Sequence, residues 1–166
     1  MDFYDYLKQQ STDNGIECHA VGIVAFTELG KVLLLKKSNV VSSQCELPNA
    51  LIDKGESIID ALSRVLDSAS AIALDNISMY IDSVDYTVGN TSCRQFNFAL
   101  FVRDDIVDSK SASEGFVWTS LGDALASESC VDSKSKKSLE IFNYNKQLKI
   151  MGTHRSALAY CFDEEI

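Results

Sequence analysis

Positive charge and long apolar runs are what this chain has least of. Fifteen Lys and Arg face twenty-four Asp and Glu, a formal net charge of −9 at pH 7. Proteins that hold DNA or RNA normally carry a basic stripe, because counterion release dominates their affinity. None is present here. The densest cationic cluster, Lys134, Lys136 and Lys137, reads as a solvated helix face. A DNA or RNA polymer is therefore excluded as the expected partner. A small nucleotide is not, since salt screens surface fields beyond about 8 Å. No apolar run approaches the roughly 18 residues of a bilayer span, so no membrane partner is expected. The opening MDFYDYLKQQ is acidic and amphipathic rather than basic with an apolar centre, and a cytoplasmic location is expected. Five cysteines form no C-x-x-C pair, an odd and scattered set that reads as reduced packing thiols. Neither a disulfide frame nor a zinc site is expected from them.

What is present suits one small domain. The chain has 166 residues, 46% of them hydrophobic, enough to bury a single core. No internal repeat or linker divides it. Phe3 to Gln9 reads as a short helix, followed by a polar link from Ser11 to Gly15. Ala20–Phe26 and Lys31–Lys37 are β-rich runs around a short turn, a hairpin pattern. Ser38 to Cys45 reads as a polar loop leading to Leu47 and Pro48, the single proline. Ser57 and Asp60 open a helix, with Ile58, Ala61, Leu62, Val65, Leu66 and Ala69 as its apolar stripe. Strands are expected over Ile77–Val88 and Cys93–Val102, the second with a period-two pattern on Phe96, Phe98, Leu100 and Val102. The apolar run Gly115 to Trp118 leads into Thr119–Leu125, and Lys134–Asn145 and His154–Phe162 read as helices. The serine-rich pieces Asp108–Glu114 and Ser127–Ser138 read as surface loops.

The stretch LPNALIDKGESIIDALSRVLDSASAIAL, from Leu47 to Leu74, resembles the Nudix box, G-x5-E-x7-R-E-U-x-E-E-x-G-U with U a bulky aliphatic residue. Glu56 stands at the first glutamate, Arg64 at the arginine, and Leu66 and Ile72 at the aliphatic positions. The remaining positions depart from the pattern. Ala50 and Ala71 replace the glycines, Val65 replaces the glutamate after the arginine, and Ser68 and Ala69 replace the glutamate pair. Leu47-Pro48 and the flanking strand order are similar to the family's as well, so the resemblance covers about residues 20–145. It implies an α/β (α+β) fold, a Nudix-like α/β/α sandwich with a mixed central sheet in a single domain over 1–166. Residues 1–19 would be an N-terminal helix and link, 20–145 the core, and 146–166 a C-terminal helical extension.

The chemistry that the family performs depends on the groups this chain has exchanged. Mg²⁺ takes hard oxygen ligands, neutralises phosphate charge and orients the attacking water. Val65, Ser68 and Ala69 offer two aliphatic groups and one hydroxyl. The resemblance implies Mg²⁺ as the cofactor of an active member, and Glu56, Asp104, Asp105 and Glu114 are the fallback ligands. Glu56 and Arg64 are expected to keep a structural salt bridge. Asp67 is expected to point into solvent. Tyr80, Phe96 and Phe98, with Tyr86 and Trp118, are the aromatics able to stack a base, or simply to fill the core. His19 reads as a packing histidine, and His154 with Cys161 lacks further zinc ligands. No G-x-S-x-G elbow marks a serine nucleophile.

Three functions stay open. One is a protein impaired in pyrophosphate hydrolysis that binds a nucleotide-like ligand or a protein partner. Another is a Mg-dependent pyrophosphohydrolase of a nucleoside diphosphate linked to another group, using replacement carboxylates. The last is a structural or oligomerising module whose cleft is plugged by side chains. A homodimer is compatible with each, since dimers are common among proteins of this resemblance.

Overall fold

The computed structural model describes residues 1–37, 44–70, 77–109 and 115–154. In chain order the elements are α1 (Phe3–Asp13), β1 (Cys18–Phe26), β2 (Lys31–Lys36), β3 (Cys45–Glu46), β4 (Asn49–Leu51) and α2 (Ile58–Ser70). After them come β5 (Ile77–Val88), β6 (Thr91–Phe101), α3 (Asp104–Ser109), β7 (Phe116–Ser120), α4 (Leu121–Leu125) and α5 (Ser133–His154). The sheet runs β3-β2-β1-β6-β5, with β4 added to β1 and β7 to β2. It is mixed: β1 and β6 pair in parallel from Cys18↔Cys93 to Phe26↔Phe101, while the other pairs are antiparallel. The expected α/β architecture with a mixed central sheet is what forms.

Alternation along the central strands sorts the core into two layers. Val21, Ile23 and Ala25 of β1 face the same side as Phe96, Phe98 and Leu100 of β6. The stripe of α2 (Ile58, Ala61, Leu62, Val65, Leu66 and Ala69) packs there and is fully buried, as its helical spacing requires. Val24 and Ala99 face the opposite side, where Leu139 and Phe142 of α5 cover them. Ser57 Oγ accepts the Asp60 amide at 3.0 Å, so the expected cap at the start of α2 is in place.

Four local readings change. The link expected from Ser11 begins later, because α1 continues to Asp13 and buries Ser11. The loop before Leu47-Pro48 ends in the short strand β3, and β4 follows the proline. The surface loop expected from Asp108 begins later, because α3 runs from Asp104 to Ser109. The serine-rich piece up to Ser138 is not all surface loop: α5 starts at Ser133, buries Ser135 and Ser138, and runs on to His154. The helix expected from Lys134 thus forms, one residue early, and its serines point at a polar pocket rather than at solvent. The run expected after His154 lies outside the described residues.

The N-terminal helix is part of the core. Leu7 of α1 joins the buried cluster that also holds Val65, Ala69 and Phe98. The Phe3 ring meets Tyr80 edge-on at 5.6 Å, and Tyr4 meets Phe98 at 5.8 Å. Replacing Leu7 by Ala removes a buried side chain and leaves a void. A loss of about 2–3 kcal/mol is expected, read as an earlier urea midpoint at unchanged slope.

Candidate functional site

Among the described residues, chemistry-bearing side chains gather at the loop and helix of the box and at a polar pocket on the other side of the sheet. In the first, Glu56 is fully engaged. Arg64 donates to it from Nε at 3.0 Å and from Nη2 at 2.9 Å, a bidentate pair. The Asp53 amide also donates to Glu56 Oε1 at 3.0 Å. Arg64 Nη2 donates to the Leu51 carbonyl at 2.7 Å, so one guanidinium ties β4 to α2 across the turn at Gly55, whose φ of 80° suits glycine. The Arg64 hydrogen bonds, then the Asp53 amide, hold the Glu56 carboxyl at about 2, against an ordinary 4.5. The salt bridge expected of these two residues is present.

The positions where the resemblance would place glutamates lie on the same helix. Val65 is 5% exposed and Ala69 0%, both inside the apolar cluster, while Ser68 and Asp67 face solvent. A carboxylate at Val65 or Ala69 would be surrounded by aliphatic and aromatic groups. Ala71 and Ile72 lie outside the described residues. The fallback acids sit elsewhere. Asp104 accepts the Leu29 amide at 3.2 Å, just past the Phe26 end of β1, and Asp105 pairs with Arg103 at 3.1 Å. Leu51, which Arg64 holds, pairs with Ala20 near the other end of β1. Six residues of strand, about 20 Å, separate the two ends. Among the described residues no three His, Cys, Asp or Glu side chains are grouped to hold a metal ion. The donor set there does not fit a magnesium cage. Glu114 is outside the described residues.

Tyr80, Phe96 and Phe98 are drawn together, yet beneath α1 instead of around an opening. Phe96 and Phe98 are each 1% exposed, and the rings of Phe3 and Tyr4 cover Tyr80 and Phe98. They are core, because the apolar face of β6 is claimed by α1 and α2. His19 stacks on Phe96 at 6.0 Å, as a packing histidine would. Burial, with the charges of Lys8 and Arg94, pushes its pKa below the ordinary value.

The opposite face of β6 carries the second place, a cavity of about 410 Å³ between the sheet and the start of α5. Lys37, Glu46, Asn49, Tyr86, Gln95, Asn97, Asp132 and Lys134 supply most of its polar lining. Gln95 Nε2 donates to Asn97 Oδ1 at 2.8 Å, and Asn97 Nδ2 donates to Asp82 Oδ1 at 2.9 Å. Ser138 Oγ donates to both Asp82 oxygens at 3.0 Å. This network lies across Gly22 of β1, where a Cβ would collide with the Gln95 and Asn97 side chains. Glycine there leaves room for two amides on the floor of the pocket.

Charges of both signs rim it. Lys37 Nζ reaches Asp132 at 2.7 Å and Glu46 at 3.8 Å, and Lys134 sits 5.0 Å from the centre of the Tyr86 ring. Burial pushes the Asp132 carboxyl up, but hydrogen bonds from Lys37 and Ser135 outweigh it and hold it below the ordinary value. Hydrogen bonding to Asp132 raises the Lys37 ammonium in turn. Apart from Tyr86, and Lys134 as part of a solvated helix face, these residues were not singled out in the sequence. The available signal was Gln95 and Asn97 on one face of a strand otherwise apolar, beside a strand glycine.

Neither a protein-family model nor a curated protein matches the chain. Solved structures do. A MutT/Nudix family protein from Listeria innocua superposes with a TM-score of 0.67 at 14% identity, over 82% of this chain and 98% of that one. An Ap4A hydrolase of C. elegans, in a binary complex, gives 0.61 at 17% identity over 79% and 98%. NrtR of Shewanella oneidensis, complexed with a 27mer DNA, gives 0.63 at 20% identity over 78% and 62%. The fold of this chain is the Nudix fold.

The Glu56–Arg64 lock sets a testable pH dependence. A carboxyl held at about 2 instead of 4.5 stabilises the folded chain above about pH 4.5, and that contribution fades as pH falls toward 2. Arg64 is 41% exposed, so solvent screening limits the worth of the pair. Glu56→Gln is expected to cost about 1 kcal/mol at pH 7. The gap between variant and parent should close in urea titrations repeated down to pH 2.5.

Proposed function

We propose that this Nudix-fold chain is impaired in pyrophosphate hydrolysis and binds a nucleotide-like small molecule in the polar pocket between β6 and α5. One observation carries the reading: two of the three exchanged glutamate positions, Val65 and Ala69, belong to the apolar core. The third, Ser68, offers a hydroxyl, a weak ligand for a hard dication. Glu56 spends its oxygens on Arg64 and the Asp53 amide, which suits support of the loop rather than a metal.

The pocket suits the ligand class. Its volume lies in the range of small-molecule sites, and a few placed polar groups can orient what enters. Gln95 and Asn49 carry donors and acceptors of the kind that read a heterocycle edge, and Asn97, bonded to Gln95 and Asp82, holds the floor beneath them. Lys37 and Lys134 suit a phosphate or an acidic substituent. A nucleic-acid polymer stays outside the proposal despite the likeness to NrtR, because the chain carries −9 and lacks a basic stripe. No helix among the described residues is long and apolar enough to cross a membrane. A cytoplasmic site of action and a homodimer belong to the same proposal.

Calorimetry with nucleoside diphosphates and triphosphates, with and without Mg²⁺, tests it. Binding that does not require Mg²⁺, weakened about tenfold by Lys37→Ala, or about 1.4 kcal/mol, is expected, with phosphate release at background. Gly22→Ala should weaken binding as well, by displacing Asn97. Robust magnesium-dependent turnover that Glu56→Gln abolishes would refute the proposal. It would favour the hydrolase acting on nucleoside diphosphates linked to another group, with carboxylates recruited from elsewhere.

A further inference from the structure

Beside the polar pocket, two cysteines far apart in sequence are brought into contact. Cys45 Sγ on β3 and Cys130 Sγ, just before α5, lie 3.3 Å from each other although they are 85 positions apart in sequence. The backbone around them is already joined. The Cys45 amide donates to the Cys130 carbonyl at 2.9 Å, and the Asp132 amide donates to the Cys45 carbonyl at 2.9 Å. A disulfide needs its sulfurs about 2.05 Å apart. Side-chain rotation can close that gap, since the two chain segments already lie side by side.

We infer that Cys45 and Cys130 form a reversible dithiol–disulfide pair, oxidised by low-molecular-weight disulfides such as glutathione disulfide, that ties β3 to the segment before α5, next to Glu46 and Asp132 of the polar pocket. The two thiols divide the work. Cys130 is exposed and meets the oxidant first. Its thiolate attacks one sulfur of the small disulfide, forming a mixed disulfide and expelling one thiolate. Cys45 then loses its proton to that thiolate or to water and attacks the Cys130 sulfur, expelling the second small thiol. The sum converts two protein thiols and one disulfide into one protein disulfide and two small thiols.

Cys45 is 3% exposed, and burial, followed by its hydrogen bond to Cys130, raises its pKa to about 11, while the charge of Lys36 opposes the rise. It is therefore a slow target for solvent oxidants and a resolving thiol held against its partner. The crosslink falls where it affects the pocket. Glu46 follows Cys45, Asp132 lies two residues beyond Cys130, and Lys37 bridges both acids. Oxidation fixes that wall and is expected to slow release of a pocket ligand. Only this last effect rests on the proposed ligand reading.

The test uses the full chain and a variant that keeps only this pair, with Cys18, Cys93 and Cys161 changed to Ser. Each is incubated with glutathione disulfide. Loss of two hydrogens in intact mass, a mapped Cys45–Cys130 peptide, and reversal by a dithiol reductant are expected. A melting temperature higher by the order of 10 °C should accompany closure of so long a loop. Cys130→Ser should abolish all of these. Glutathione persisting on Cys130 without crosslinking, or a crosslink mapped only to other cysteines in the parent chain, would overturn the inference. Release of a nucleoside diphosphate, timed by stopped flow, is the separate arm. An unchanged rate beside a proven crosslink would overturn the coupling to the pocket and leave the thiol pair standing.

Discussion

The structure depends on how one helix meets one sheet. The apolar stripe of α2 lies on the face of β1 and β6 that presents Val21, Ile23, Phe96 and Phe98, and α1 closes the same cluster through Leu7. Side chains in such a layer are close-packed, so each position on the stripe admits only certain shapes and almost no charge. Val65 and Ala69 satisfy that constraint. Glutamates at these positions would have to reach out of an apolar layer to meet a cation. Burial therefore connects the altered box, the absence of grouped carboxylates among the described residues, and the covering of the expected aromatic cleft.

Glu56 and Arg64 bind the scaffold together. Arg64 gathers Glu56, the Leu51 carbonyl and, at 3.8 Å, Asp53, and so joins β4, the glycine turn and the helix in one knot. On the far side of the sheet the polar atoms are placed differently. There Asp82, Asn97, Gln95 and Ser138 satisfy one another while leaving an open volume between them and the Lys37–Asp132 pair. A buried polar network next to a cavity is costly unless its members are paired, and these are.

Much of this was legible in the residues. The three- and four-residue spacing from Ile58 to Ala69 gave α2 and its buried face, because an apolar stripe can be hidden in only one way. The alternation of Phe96, Phe98 and Leu100 gave the orientation of β6 for the same reason. The pairing of Glu56 with Arg64 followed from the resemblance. What escaped has a common cause: it depends on residues distant in sequence. The short strands β3 and β4 exist only by pairing with β2 and β1. The burial of Ser135 and Ser138 depends on Leu47 and Asp82, and serines in a run otherwise read as loop. The pocket, too, is assembled from β3, β5, β6 and α5, and no short window of sequence contains it.

The claim at the centre is that the Val65–Ala69 turn of α2 does not hold a cation against a diphosphate. The most direct test is an amide-resolved NMR titration with a nucleoside diphosphate, followed by Mn²⁺ as a paramagnetic stand-in for Mg²⁺. Ligand-induced shifts should gather at Lys37, Asn97 and Ser135, with no Mn²⁺ broadening centred on Val65 to Ala69. Strong broadening along that turn, tightened by the diphosphate, would contradict the account.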